Sequence, residues 1–146
     1  MKVQASLGNH LAATSIPKRR ILLDAAVLST RGDFERILVH ELFHFAWVRL
    51  SNETRWDWEA VLRLELARRV KGELGWSAEW RKDRLAARDI QLRTPAWRRY
   101  ICESFCDTAA SYYAGVEMHG EFTLAARPRR ARQDWFVRQI GPVVIL

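Results

Sequence analysis

The stretch "ILVHELFHFAW", residues 37–47, is apolar at every position except His40, Glu41 and His44. A polar group taken out of water without a hydrogen-bond partner costs about 2–7 kcal/mol, so these three need partners if the run is buried. The flanking sequence makes the run a helix. "STRGDFE" ahead of it offers Ser29 or Thr30 as N-cap, with acidic Asp33 and Glu35 for the first turns. "SNET" stops it near Leu50. Positions 37–48 are apolar on every side except at the three polar residues, the pattern of a helix enclosed in a core.

On that helix His40 and His44 stand at i and i+4, so both imidazoles can aim at one point. Zinc takes imidazole nitrogen well, and two such ligands supply half of a tetrahedral site. Glu41 lies about 100° round the helix from His40, beside the metal position rather than on it. Zinc lowers the pKa of a coordinated water to about 7, and a carboxylate so placed can take its proton during attack on a carbonyl. This is the metalloprotease reading of H-E-x-x-H. The alternative is a pair of core histidines satisfied by hydrogen bonds.

A catalytic zinc needs a third protein ligand and an open position. His10 falls in a strand-like region and His119 follows a later helix. The better candidate is Glu103 in "CESFCDTAA", which shares a helix face with Asp107 at i+4. Ala110 and Ala114 lie within about 20° of that face on a 100° repeat, and small residues allow a second helix to approach closely. Asp107 is then free to accept from the outer ring N–H of His40 or His44, as carboxylates beside metal-bound histidines do. Cys102 and Cys106 compete for the third position, since thiolate also binds zinc.

The rest of the chain reads as one α+β domain over residues 1–146, a small hairpin packed on a helical bundle. "HLAATSI" and "RRILLDAAV" form two strands joined by a turn at Pro17 and Lys18. Residues 53–93 are helical and amphipathic, with Trp58, Val61, Leu62, Leu66 and Val70 on one face, a break at Gly72 and Gly75, and a restart at Ser77. Pro95 opens the glutamate helix, and Gly115 ends it. "VEMHGEFTLAA" is irregular, and a last helix starts at Pro128.

A content of 49% hydrophobic and 28% charged residues is that of a folded globular chain and argues against disorder. No apolar run approaches the roughly 20 residues of a membrane span, and the N-terminal sequence has no secretory h-region. A cytoplasmic protein is expected, with the two cysteines as small buried thiols. The net charge of +7 admits an acidic partner, although no nucleic-acid motif accompanies it.

H-E-L-F-H followed by E-S-F-C-D resembles the gluzincin zinc peptidases, in which H-E-x-x-H pairs with a downstream E-x-x-x-D helix. The strand hairpin just before the helix and the short chain are similar to the minimal gluzincins, including ImmA/IrrE-type proteins. The resemblance covers residues 10–50 and 100–114. It implies a zincin-like fold, one Zn2+ held by His40, His44 and Glu103, Glu41 as general base, Asp107 as outer carboxylate, and a peptide or protein substrate bound in extended form along a strand. Larger gluzincins use a tyrosine and a histidine as transition-state donors, and Tyr113 and His119 are the candidates here. The competing class is a basic regulatory or nucleic-acid-binding protein with a zinc site. Its support is the set Trp56, Trp58, Trp76, Trp80 and Trp97 interleaved with arginines.

Overall fold

The motif run forms the middle of helix α1, Asp33–Arg49, in a computed structural model that describes residues 1–8, 11–30 and 32–141. His10, named above as a possible ligand, lies outside the described residues. Helix α1 is apolar nearly all round because it packs on two sides. Phe43 and Trp47 enter a core with Trp58, Phe105 and Phe136, while Ile37 joins Ile21, Leu23 and Val27 beneath a small sheet. His40, Glu41 and His44 occupy a third side, facing a cleft.

The sheet is built from β1 (Lys2–Gln4), β2 (Ala12–Ser15) and β3 (Arg20–Asp24) in the order β1-β3-β2. The expected hairpin is present: β2 and β3 pair antiparallel, Ala12 opposite Leu23 and Ser15 opposite Arg20. Its turn spans residues 16–19, closed by the Arg19 N–H donating to Ile16 O at 3.1 Å. The parallel strand β1 was not expected, and it makes β3 the central strand and β2 an edge. A hydrogen bond from Thr14 Oγ1 to Glu41 O, 3.2 Å, ties that edge to α1.

Helix α1 starts later than Ser29 or Thr30 would have it. Asp24 caps an earlier 3-10 turn over Ala25–Ser29 by accepting from the Ala26 N–H at 2.9 Å, which takes up the residues expected to open α1. Gly32 is the N-cap instead, in the left-handed region at φ 89°, where a side chain would be strained. Its N–H donates to Glu35 Oε2 at 3.1 Å.

Ser51 caps α2 (Asn52–Ala67), accepting from the Thr54 N–H at 3.1 Å. Two short helices follow, α3 (Trp76–Lys82) and α4 (Ala87–Gln91), and then α5 (Pro95–Tyr113) and α6 (Ala126–Gln139). Helix α6 begins two residues ahead of Pro128, which sits in its first turn, where its missing N–H is no loss. Helix α5 is the centre of the bundle and packs more extensively on α1 than on any other element. Of the expected small-residue face, Ala110 is buried, whereas Ala114 is half-buried and caps the end of α5. Both cysteines are free thiols, Cys106 buried and Cys102 half-buried. Among the described residues, no helix is long and apolar enough to cross a membrane.

Candidate metal centre

The α1–α5 contact brings His40, His44 and Glu103 together, with one donor atom of each within 4.8 Å of the others. Ligands about 2.1 Å from a common zinc at tetrahedral angles stand roughly 3.4 Å apart. His40 Nε2 and Glu103 Oε2 are already 3.3 Å apart. Two imidazole nitrogens and a carboxylate oxygen are a donor set zinc accepts, so the residues fit the metal.

Asp107 selects between the two histidines. Its Oδ1 accepts from His40 Nδ1 at 2.7 Å, which directs Nε2 toward Glu103 and the cleft. Burial opposes the charged form of His40, yet the charges and hydrogen bonds of Asp107 and Glu103 outweigh it and hold its pKa well above the ordinary histidine range. Burial likewise opposes the Glu103 carboxylate, but His40, His44 and the Ser77 hydroxyl bring its pKa down to about 2. His40 Nε2 and Glu103 Oε2, paired in this way, are the two atoms that would hold a divalent cation.

The middle of the chain, which offered no such expectation, completes the site. Ser77 Oγ donates to Glu103 Oε2 at 2.7 Å, and the Ala78 N–H donates to Asp107 Oδ2 at 3.0 Å. Arg81 reaches 3.5 Å from Glu103 Oε1 while its Nη1 donates to Ser77 O and Oγ. Gly75 allows α3 this approach: a Cβ there would meet the Asp107 carboxylate at 2.3–2.5 Å. The only sequence signal was Ser77 and Arg81 at i,i+4 after a glycine. The backbone N–H of Ala78 has no sequence signature at all.

Two clefts meet at His40 and Glu41. One, of about 310 Å³, is lined by Ala12–Thr14, Ile16, His44, Ser77, Arg81 and Glu103. The other, of about 350 Å³, runs past Leu11, Ala12, Arg36, Trp76 and Glu121. Edge strand β2 borders both. Glu41 is buried, and among the described residues its carboxylate has no hydrogen-bond partner, which leaves it available to a water or substrate.

Tyr113 and His119 line neither cleft. The Tyr113 hydroxyl donates to Gly141 O, and its ring stacks on Phe43 in the main core. His119 Nε2 bonds Asp33 Oδ1 at 2.9 Å and holds the start of α1. Cys102 and Cys106 gather with His44 alone, on its Nδ1 side, and not with His40 or Glu103. Arg81 is instead the cationic side chain in the cleft of the three candidate ligands. No protein-family model matches the chain, and neither does any curated protein or solved structure.

Proposed function

We propose that this chain is a zinc-dependent peptidase of minimal gluzincin type, holding one zinc per chain on His40, His44 and Glu103. The convergence of these donors within 4.8 Å, beside Glu41 and an edge strand, carries the reading. Zinc, when bound, lowers the pKa of water and polarises a carbonyl. Glu41 takes the proton of the attacking water and returns it to the leaving amine. Arg81 offers a fixed positive donor for the oxyanion that develops. Asp107 keeps the His40 ring in the tautomer that presents Nε2.

Glu41→Gln preserves size but removes the base. Zinc content and melting temperature should stay nearly unchanged, while cleavage of a peptide library or a cell extract falls by at least about 10²-fold. Zinc lost together with activity would make Glu41 a structural group instead.

Substrate binding by strand addition to β2 follows from its edge position. The bond from the Asp24 N–H to Leu11 O, 2.8 Å, makes those two a hydrogen-bonded pair. By antiparallel alternation Ala13 and Ser15 then face β3, and the N–H groups of Ala12 and Thr14 face outward. Ala12→Pro removes one outward donor without breaking the ladder. It should raise KM for a cleaved peptide and leave zinc bound; an unchanged KM would rule out strand addition at this edge.

The second reading, nucleic-acid binding, is narrowed by burial. Trp58 and Trp97 are fully buried and cannot stack on bases. What favours it is a cavity of about 410 Å³ lined by Trp80, Arg81, Arg84, Ala96 and Arg99, with the Arg84 guanidinium 4.1 Å over the Trp80 ring. Single-strand oligonucleotide binding across a salt series tests it, with a steep loss on adding salt expected if it holds.

A further inference from the structure

His44, unlike His40, has a sulfur at its outer nitrogen. Cys102 Sγ lies 3.6 Å from His44 Nδ1, the ring position at which Asp107 holds His40. Both partners come from α5 and bracket Glu103: Cys102 immediately precedes it and Asp107 stands one turn after it. One stretch of helix therefore carries a candidate ligand together with an outer partner for each histidine. A ring whose Nδ1–H is directed at sulfur presents the Nε2 lone pair toward His40 and Glu103, the tautomer a metal requires. Cys106, buried, backs Cys102 from within the helix.

We propose that Cys102 is the positioning residue for His44 and that, through it, metal retention is sensitive to thiol oxidation; the proposal rests on the zinc reading above. Hydrogen peroxide is the oxidant considered. The sulfur attacks one peroxide oxygen, an S–O bond forms and the O–O bond breaks. The departing hydroxide takes the thiol proton as water, so the sulfur is oxidised by two electrons to sulfenic acid and the peroxide is reduced. The added oxygen must enter a contact of 3.6 Å. The imidazole has to turn away, and its Nε2 leaves the metal position. Cys102 keeps partial exposure, which gives a small oxidant access, whereas Cys106 is buried. Sulfenic acid is reduced by thiols, so the effect reverses.

The test uses the full-length zinc-loaded protein and its Cys102→Ala, Cys102→Ser and Cys106→Ala variants, with zinc affinity read by chelator competition. Cys102→Ala should weaken zinc by about 10- to 100-fold, and Cys102→Ser, whose hydroxyl still accepts, should recover most of that loss. The cobalt-substituted wild type should show no thiolate-to-metal charge-transfer band. Peroxide should release zinc from the wild type and from Cys106→Ala but not from Cys102→Ser, and a thiol reductant should restore binding. Unchanged affinity in Cys102→Ala would overturn the positioning role. A charge-transfer band that disappears in Cys102→Ala would make the sulfur a ligand instead. Zinc retained by the peroxide-treated wild type, with Cys102 oxidised by mass, would overturn the redox sensitivity. A wild type that binds no zinc takes the underlying reading down with it; equal binding with and without Cys102 overturns this inference alone.

Discussion

Glu103→Ala is expected to abolish stoichiometric zinc binding, and Asp107→Ala to weaken it by only about 10- to 100-fold. The difference follows from where the two carboxylates stand on α5. Glu103 contributes a donor atom to the three-residue set, 3.3 Å from His40 Nε2. Without it, two imidazoles remain, short of the three protein ligands a catalytic zinc keeps. The loss also frees Ser77 and Arg81, which both engage that carboxylate. Among the described residues, the Asp107 carboxylate hydrogen-bonds the outer nitrogen of His40 and the Ala78 N–H, so its removal loosens a ring but deletes no donor. Metal content by mass spectrometry and competition against a graded set of chelators measure both. If Asp107→Ala proves the more damaging of the two, their roles are exchanged.

The motif helices were legible because their chemistry lies at helical spacing. His40 with His44, and Glu103 with Asp107, each fall on one face whatever surrounds them, and burial of both helices followed from their apolar flanks. The hairpin was legible from Pro17 and its two apolar runs. Strand β1 was not, since three residues paired in parallel leave no alternation to read. The contribution of α3 was hidden for another reason. It acts through a backbone N–H, a missing Cβ at Gly75 and an arginine that composition alone assigns to the surface. Tyr113 and His119 were chosen by residue type without spacing, and the fold sent one to the core and the other to the start of α1. Where geometry backed a residue, it came to the site; where type alone did, it did not.

Arg132 shows how far composition can mislead, and its replacement should have the largest effect on stability. Among many surface arginines it is fully buried. Its Nε and Nη2 donate to Glu65 at 2.9 and 2.6 Å, and its Nη1 donates to Glu73 at 2.7 Å and to Ser104 Oγ at 3.0 Å. Glu73 accepts in addition from the Tyr100 hydroxyl at 2.6 Å, and Lys82 lies 3.3 Å away. This network pins the segment between α2 and α3 to α5 and α6, and so sets the approach of Gly75 and Ala78 to Asp107. Arg132→Met keeps much of the volume but leaves two buried carboxylates without their main counter-charge, a loss of about 3–5 kcal/mol. That is a large share of the roughly 5–15 kcal/mol that holds a domain folded, and it should lower the melting temperature by roughly 10 °C or more. The pH dependence gives a second reading. Burial alone would raise the Glu73 pKa, but Arg132, Lys82 and Tyr100 bring it down to about 2. A carboxylate depressed on folding adds stability above its unfolded pKa, about 4.5 here, and that stability is lost as pH falls toward 2. The wild type should therefore lose stability on acidification through that window, and Arg132→Met, already without the interaction, should lose less. A variant that melts within a degree or two of the wild type, with the same acid profile, would show that the hydrogen bonds from Tyr100 and Ser104 and the charge of Lys82 suffice to hold Glu73, and that Arg132 does not anchor α3 at the candidate metal site.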